Sequence, residues 1–358
     1  MSETRPLTGA AGGSAVVGST TPTDSRLPTR DDRAVVVTGA SAGVGRAVAH
    51  AFARRGCRLG LLARDPSGLE ATTRECLDLG GQAVVAPTDV ADPAQVEAAA
   101  DLVESRFGPI DVWVNDAMAT VFAPVSEMTA EEFRRATEVT YLGAVYGTMA
   151  ALRRMRPRNR GQIVQVGSAL AYRAIPLQAA YCGAKFGLRG FTDSLRTELI
   201  HEHSRIWVTM VQLPAVDTPQ FSWCRSKLGQ HPQPVPPIYD PEVPAEAVYF
   251  ASRTRRREVF CGGSTVAVIL GNRLAPGLGD RYLGRTGYQS QQNGSLPYSP
   301  DRPDNLFSPV PGVAATRGRF TDISHQGSLQ LWATMHRRLL TGVAAAALSG
   351  LVAVGVRR

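Results

Sequence analysis

The chain has 358 residues, of which 44% are hydrophobic, and its formal net charge is +8 at pH 7. Its basic runs, at 153–160 and 253–257, have no interleaved aromatic residues, which argues against a nucleic-acid-binding protein. The five cysteines are odd in number and lack metal-ligand spacing, so we expect free thiols in a reducing compartment and predict no metal site.

Residues 1–31 are rich in Gly, Ser, Thr and Pro and lack the apolar stretch of a signal peptide, so we predict a disordered N-terminal segment. Between residues 32 and 270, strand-like and helix-like patterns alternate. This alternation predicts an α/β domain, a Rossmann-type doubly wound parallel sheet in a three-layer α/β/α arrangement. Strands are expected near 82–86, 110–115, 161–167 and 205–212, and helices near 93–107, 129–156 and 178–203.

The first predicted strand runs into a glycine-rich turn. Residues 33–38 are apolar and β-branched, and residues 46–55 have the pattern of an amphipathic helix. Glycines between them allow the backbone to approach a pyrophosphate, and the helix N-terminus offers free N–H groups and a positive dipole. A glycine triplet alone also fits an ordinary tight turn, but the strand–turn–helix context favours a dinucleotide site. The predicted cofactor-binding residues here are Gly39, Ser41, Gly43, Val44 and Gly45.

The second predicted strand, residues 57–63, is followed by Arg64. A site that prefers NAD usually has an acid here for the ribose hydroxyls, whereas a guanidinium suits the 2′-phosphate of NADP. We therefore predict that Arg64 binds the cofactor and that NADP(H) is preferred to NAD(H). Arg46 could add a second positive charge and Asp65 could neutralise Arg64. The alternative is that Arg64 is a solvated turn residue.

A tyrosine four residues before a lysine is the strongest chemical signal. Only Lys185 and Lys227 are lysines among the 39 Lys and Arg residues. Tyr181 and Lys185 share one face of a predicted helix, so the ammonium is expected to favour the phenolate and lower the Tyr181 pKa. Such a tyrosine can act as an acid or base near neutral pH. Ser168 lies upstream at the end of an apolar run; the alternative is a chance Tyr/Lys pair on a surface helix.

The residues beyond the α/β domain fall into two parts. Residues 271–335 are rich in Gly, Pro, Gln and Ser and are predicted to be an extension, partly docked and partly linker. Residues 336–358 are predicted to form a transmembrane or interfacial helix, because 339–356 are uncharged and mostly apolar between arginines. Such an anchor would attach a cytoplasmic catalytic domain to the membrane. The alternative is a core or oligomer-interface helix.

Several motifs together resemble the single-domain branch of the short-chain dehydrogenase/reductase family. Residues 38–45 match its Thr-Gly-x3-Gly-x-Gly turn, and Tyr181 and Lys185 match its Tyr-x3-Lys pair. Further matches are Asp89-Val90 after the third strand, Asn115-Asp116-Ala117-Met118 ending the fourth, Ser168 before the tyrosine, and Pro214 with Thr218 after the sixth. The resemblance covers about residues 32–265.

This resemblance implies roles for individual residues. Ser168 would orient a substrate carbonyl, Tyr181 would give or remove its proton, and Lys185 would bind the nicotinamide ribose. Members usually carry an Asn that holds a relay water where this chain has Thr140. Members also usually form homo-oligomers through the helix that carries the tyrosine and the helix before it. Besides the glycine turn and Arg64, the implied cofactor contacts are Asp89, Val90, Asn115, Ala117, Tyr181, Lys185, Pro214 and Thr218.

In this family, the region equivalent to residues 221–244 forms a mobile lid over the substrate. Its Phe221, Trp223 and Tyr239 suggest an apolar substrate, with a loop packed on the core as the alternative. Two residues between the serine and the tyrosine, Tyr172 and Leu177, are expected to face the same pocket.

The sequence therefore predicts an NADP(H)-dependent oxidoreductase that interconverts a carbonyl and an alcohol by hydride transfer on a lipophilic small molecule. One alternative is a non-catalytic cofactor-binding or scaffold protein with the same fold. Another is a sugar-nucleotide epimerase or dehydratase, whose usual glycine spacing differs from that of Gly39, Gly43 and Gly45.

Overall fold

The computed structural model describes residues 31–299, 301–337 and 339–342. The predicted disordered segment, apart from Asp31, lies outside the described residues. Within them, seven parallel strands form one sheet: β1 (Ala34–Thr38), β2 (Arg58–Ala63), β3 (Gln82–Pro87), β4 (Ile110–Asn115), β5 (Gly161–Ser168), β6 (Ile206–Leu213) and β7 (Glu258–Phe260).

The strand order is β3-β2-β1-β4-β5-β6-β7. The order reverses beside β1, and ligands of doubly wound sheets bind at that reversal, outside the carboxyl ends of the strands. The doubly wound fold predicted from the sequence is confirmed.

Helices cover both faces of the sheet. Along β1, Val35 and Val37 pack into one core while Ala34 and Val36 pack into the other, because successive side chains of a strand point to opposite faces. The first core is shared with α1, α2 and α8, and the second with α3, α5 and α6. The helices of the domain are α1 (Gly43–Ala53), α2 (Pro66–Asp78), α3 (Pro93–Phe107), α4 (Ala130–Thr137), α5 (Gly143–Met155), α6 (Ala179–His201), α7 (Gln220–Trp223) and α8 (Glu242–Ala251).

The helix predicted over 129–156 is two helices joined by a π-helical turn. A capping box of Thr129 and Glu132 starts α4. The turn at Glu138–Leu142 separates α4 from α5 and contains the buried Thr140. Its hydroxyl donates to the Ala119 carbonyl at 2.8 Å and accepts from the Ala119 N–H at 2.9 Å. The wide turn therefore places Thr140 against the loop after β4.

The extension packs on the α/β domain where it is described. Two helices, α9 (Gly263–Leu274) and α10 (Pro276–Thr286), cover the carboxyl end of the sheet, and α9 crosses the domain boundary predicted at residue 270. Further along, Leu306, Phe320 and Leu331 are buried, the last within α11 (Leu329–Met335). Two-residue strands also pair His231–Pro232 with Gln292–Asn293.

The predicted C-terminal helix is described at 336–337 and 339–342 only, and its remaining residues lie outside the described part of the chain. Among the residues that are described, no helix has the length and apolar character needed to cross a membrane.

Candidate active site

The carboxyl ends of the strands open into a cavity of about 670 Å³. The glycine turn after β1 lies at one end, and the predicted triad Ser168, Tyr181 and Lys185 lines the wall. Ser168 lies 13 residues before Tyr181 and 17 before Lys185. The three meet because β5 ends with Ser168 at this edge of the sheet and α6 places the other two residues beside it. The topology brings the three predicted catalytic residues together.

Ser168 is held by a buried polar network. Its backbone N–H donates to the Gln212 Oε1 atom at 2.9 Å, and the Gln212 amide donates to Glu258 at 2.9 Å. Tyr172 completes the network, since its hydroxyl donates to the same carboxylate at 2.5 Å. Gln212 is fully buried, so its two bonds fix the end of β5 where Ser168 stands.

Tyr181 and Lys185 lie on the same face of α6, as their spacing predicts. The Lys185 Nζ atom is 5.6 Å from the centre of the Tyr181 ring. It donates to the Val166 carbonyl at 2.7 Å, and the Lys185 residue is only 3% exposed. The ammonium is thus fixed beneath the phenol, facing the cavity with its remaining hydrogens.

The predicted lowering of the Tyr181 pKa is wrong. Burial raises the pKa of Tyr181 above its usual range, and the hydrogen bond from Ser168 lowers it by less. Burial also lowers the pKa of Lys185, against the attraction of Asp116. Desolvation is therefore the largest effect on the Tyr181 pKa, and Tyr181 is protonated throughout the neutral range.

Asp116 is a titratable member of the site that sequence reasoning missed. Burial raises the pKa of its carboxyl, while Lys185 and a hydrogen bond from the Gly45 N–H lower it by less. A side chain on Gly45 would come within 2.9 Å of the Asp116 carboxylate. The signal was present, because Asp116 stands in the middle of the Asn-Asp-Ala-Met motif, where the family motif has a neutral Asn.

The glycine turn has the shape of a dinucleotide cradle. Gly39 and Gly43 have φ angles of 74° and 56°, which side-chain-bearing residues rarely adopt. A Cβ atom on Gly45 would lie 2.2 Å from the Gly39 carbonyl oxygen, so only glycine lets α1 approach β1 this closely. Gly39, Ser41, Gly43 and Val44 line the cavity, and Gly45 lies behind them. These residues fit a nicotinamide dinucleotide, with its phosphates at the N-terminus of α1.

Arg64 lines the cavity at the end of β2, where the sequence places it. Its guanidinium donates to the carbonyls of Leu306 and Phe307, at 3.2 and 3.0 Å, and to that of Asn305. Asp65 does not neutralise it, because the Asp65 carboxylate caps α2 by accepting from Ser67. Arg64 is therefore held by the extension rather than by an acid.

Arg46, which was predicted to add a second positive charge to the cofactor site, forms an ion pair with Glu75.

The other predicted cofactor residues divide into two groups. Asn115 does not line the cavity: its side chain is buried and bonds to Trp113, Thr148 and Gln165. Asp89 lines the cavity and forms an ion pair with Arg135 at 2.5 Å. The others that line the cavity are Val90, Ala117, Pro214 and Thr218.

The lid region is partly packed inward. Phe221 packs against Phe122 and Phe320, with ring centres 6.1 and 6.0 Å apart, and both Phe221 and Trp223 line the cavity. The expectation that Tyr172 and Leu177 face the cavity is wrong. Tyr172 turns to Glu258, and Leu177 is buried beside Phe122. The apolar lining from this stretch is instead Leu170 and Ile175.

A family model and curated relatives that match this chain agree on one family. Residues 33–228 match the family model described as short chain dehydrogenase. The uncharacterized oxidoreductase YxnA of Bacillus subtilis is 32% identical over 333 residues, which is 92% of each chain. Dehydrogenase/reductase SDR family member 7 of Homo sapiens is 38% identical over 172 residues, 47% of this chain and 51% of that protein.

A solved structure agrees with the sheet topology. The alcohol dehydrogenase of the archaeon Thermococcus sibiricus, in complex with 5-hydroxy-NADP, superposes with a TM-score of 0.55 at 28% identity. The match covers 64% of this chain and 96% of the archaeal one. The chain thus belongs to the short-chain dehydrogenase/reductase family of oxidoreductases.

Proposed function

We propose that this protein is an NADP(H)-dependent oxidoreductase that interconverts a carbonyl and an alcohol on an apolar small molecule. The observation that carries the proposal is the placement of Ser168, Tyr181 and Lys185 around one cavity that also receives the N-terminus of α1. A bound nicotinamide cofactor would supply or accept the hydride.

The residues of this chain would handle the proton and the oxygen. The Ser168 hydroxyl donates to the substrate oxygen and orients it, and Tyr181 gives that oxygen its proton during reduction. Lys185, 5.6 Å from the ring centre, then stabilises the phenolate left behind. The raised pKa of Tyr181 keeps it in the form that can donate this proton.

Arg64 supports NADP(H) over NAD(H). It lies at the end of β2, on the cavity wall, and no carboxylate is paired with it among the described residues. Three of its five N–H hydrogens are bonded to carbonyls, which leaves two for a 2′-phosphate. The archaeal alcohol dehydrogenase that shares the fold was solved with an NADP derivative.

The cavity wall supports an apolar substrate. Side chains from three different parts of the chain contribute apolar surface beyond the triad: Leu170, Ile175, Trp223, Val268 and Leu283. An apolar wall with a few convergent polar groups favours binding of a ligand with one reactive oxygen.

Self-association is proposed through α5 and α6. Met149 and Phe186 project from these helices and are 45% and 41% exposed. Single exposed apolar side chains are ordinary on a protein surface, so this proposal rests on the association through these two helices that is usual in the family.

Replacing Tyr181 by Phe tests the proposed reaction. Tyr181→Phe removes the proton donor and leaves the glycine cradle intact, so turnover of ketones and aldehydes should be lost while NADPH still binds. Tyr146→Phe, on α5 and outside the cavity, is the matched control and should behave as wild type. Near-normal turnover by Tyr181→Phe would contradict the mechanism. Failure of the wild type to bind either dinucleotide would favour the alternative, a non-catalytic protein with this fold.

A further inference from the structure

Residues 305–318 of the extension form a strap across the cofactor cradle. Near its first end, Leu306 is fully buried and Asp304 forms an ion pair with Arg225 at 2.8 Å. Beyond its other end, the Phe320 N–H donates to the buried Asp217 carboxylate at 3.0 Å. Both ends are therefore fixed to the α/β domain.

The middle of the strap lies on the N-terminus of α1. The Gly43 N–H donates to the Ala315 carbonyl at 2.9 Å, and the Arg46 guanidinium donates to the Ala314 carbonyl at 3.1 Å. The first N–H groups of such a helix are the donors that bind a dinucleotide pyrophosphate. A phosphate oxygen and the Ala315 carbonyl would compete for the same hydrogen, so both cannot hold it at once.

The first part of the strap makes a different contact. The carbonyls of residues 305–307 accept from Arg64, and the Leu306 carbonyl also accepts from Arg135 at 3.2 Å. These bonds fix the guanidinium at the adenosine end of the cradle. This part therefore positions a cofactor-binding side chain, whereas the middle part covers a cofactor-binding amide.

The first and middle parts of the strap differ in how deeply they are buried. None of residues 308–316 is buried, and Val313 is 41% exposed. A segment with little buried surface between two fixed ends can open locally at small cost in free energy.

We propose that the strap is a gated part of the cofactor site, an inference that rests on the proposed function. Residues 308–316 lift from Gly43 to admit the pyrophosphate, while residues 305–307 stay in place and hold Arg64 toward the 2′-phosphate. The gate acts on NADPH and NADH alike, because both carry the pyrophosphate. The held guanidinium acts on NADPH alone.

The test uses the full-length chain with a fluorophore on Val313→Cys. All five native cysteines are buried, so the label goes to the new thiol. The control carries the label at Leu329→Cys, which is 88% exposed in the same extension but outside the strap. Stopped flow then follows NADPH fluorescence for binding and the label for strap movement. We expect the Val313 label to respond at the rate of binding, with that rate levelling off as NADPH rises, and the control label to stay silent.

Leu306→Ala is the second variant, since it weakens the first anchor of the strap. We expect its limiting association rate to rise about tenfold for both dinucleotides, because the open form is more populated. Its preference for NADPH over NADH should fall, because Arg64 is held less firmly.

The possible outcomes distinguish failure of the gate proposal from failure of the proposed function. Binding of NADPH with a silent Val313 label and a rate linear in concentration would overturn the gate and leave the proposed function standing. Binding by Leu306→Ala but not by the wild type would support the gate. No binding by either folded protein would overturn both proposals.

Discussion

Replacing Lys185 by Met removes the ammonium beneath Tyr181 and keeps a side chain of similar length. With the 5.6 Å from the Lys185 Nζ atom to the centre of the Tyr181 ring taken as the charge separation, Coulomb's law at an effective dielectric constant of about 20 gives an attraction of about 3 kcal/mol between ammonium and phenolate. That energy corresponds to about two pKa units on Tyr181 and about 100-fold in rate where the phenolate is formed. Lys185→Met should therefore lower the rate about 100-fold near neutral pH.

The assay is the initial rate of NADP-dependent alcohol oxidation across pH, at saturating cofactor. Because the phenolate is the base in oxidation, the Lys185→Met rate should lie about 100-fold below the wild-type rate near neutral pH, and the difference should narrow at alkaline pH, where Lys185 loses its proton. Lys227→Met is the matched control, because the chain's other lysine pairs with Glu132 at 2.8 Å and does not line the cavity. Its profile should match the wild type. A Lys185→Met profile that overlays the wild type would refute the electrostatic role of Lys185.

Three further predictions concern the cofactor, the buried acid and the C-terminus. Arg64→Ala should lower the preference for NADPH over NADH by about tenfold to 100-fold in titrations, because only NADPH offers a 2′-phosphate for charge-assisted bonds; an equal change in the binding of both would count against the cofactor preference. Burial raises the Asp116 pKa. At a pH between the ordinary and the raised value, the folded protein therefore holds a proton on Asp116 that the unfolded chain has lost. The free energy of unfolding of the wild type should fall as pH rises through this window. Asp116→Asn should remove that fall in thermal unfolding curves, and parallel curves for the two proteins would show that Asp116 does not titrate there. Finally, full-length protein should sediment with membranes after lysis without detergent, whereas a chain ending at Met335 should not; a full-length protein left in the supernatant would rule out the anchor.

The sequence was sufficient to predict the sheet and the convergence of Ser168, Tyr181 and Lys185 on one cavity, because both follow from short-range patterns within the predicted fold. Apolar β-branched runs placed the strands, and four-residue spacing put Tyr181 and Lys185 on one helix face. The π-helical turn at Glu138–Leu142 was not predicted, because its apolar pattern predicts one continuous helix and its contact between Thr140 and the Ala119 backbone joins residues 21 positions apart.

The electrostatics of the site depend on burial, which the sequence does not give. The Tyr181 pKa was predicted to fall because Lys185 is near, and it rises because burial disfavours the charged phenolate. The contact between Gly43 and Ala315 joins residues 272 positions apart, and no local pattern in a Pro- and Gly-rich extension indicates it. Arg64 could be placed from the sequence, but not the carbonyls that hold it.

The most direct test of the central claim is a fluorescence titration of the full-length protein with NADPH and NADH, followed by turnover of apolar ketones and aldehydes. The account predicts tight NADPH binding, weaker NADH binding and turnover that Tyr181→Phe abolishes. Tighter binding of NADH would contradict the cofactor preference, and a folded protein that binds neither dinucleotide would contradict the proposed reaction itself.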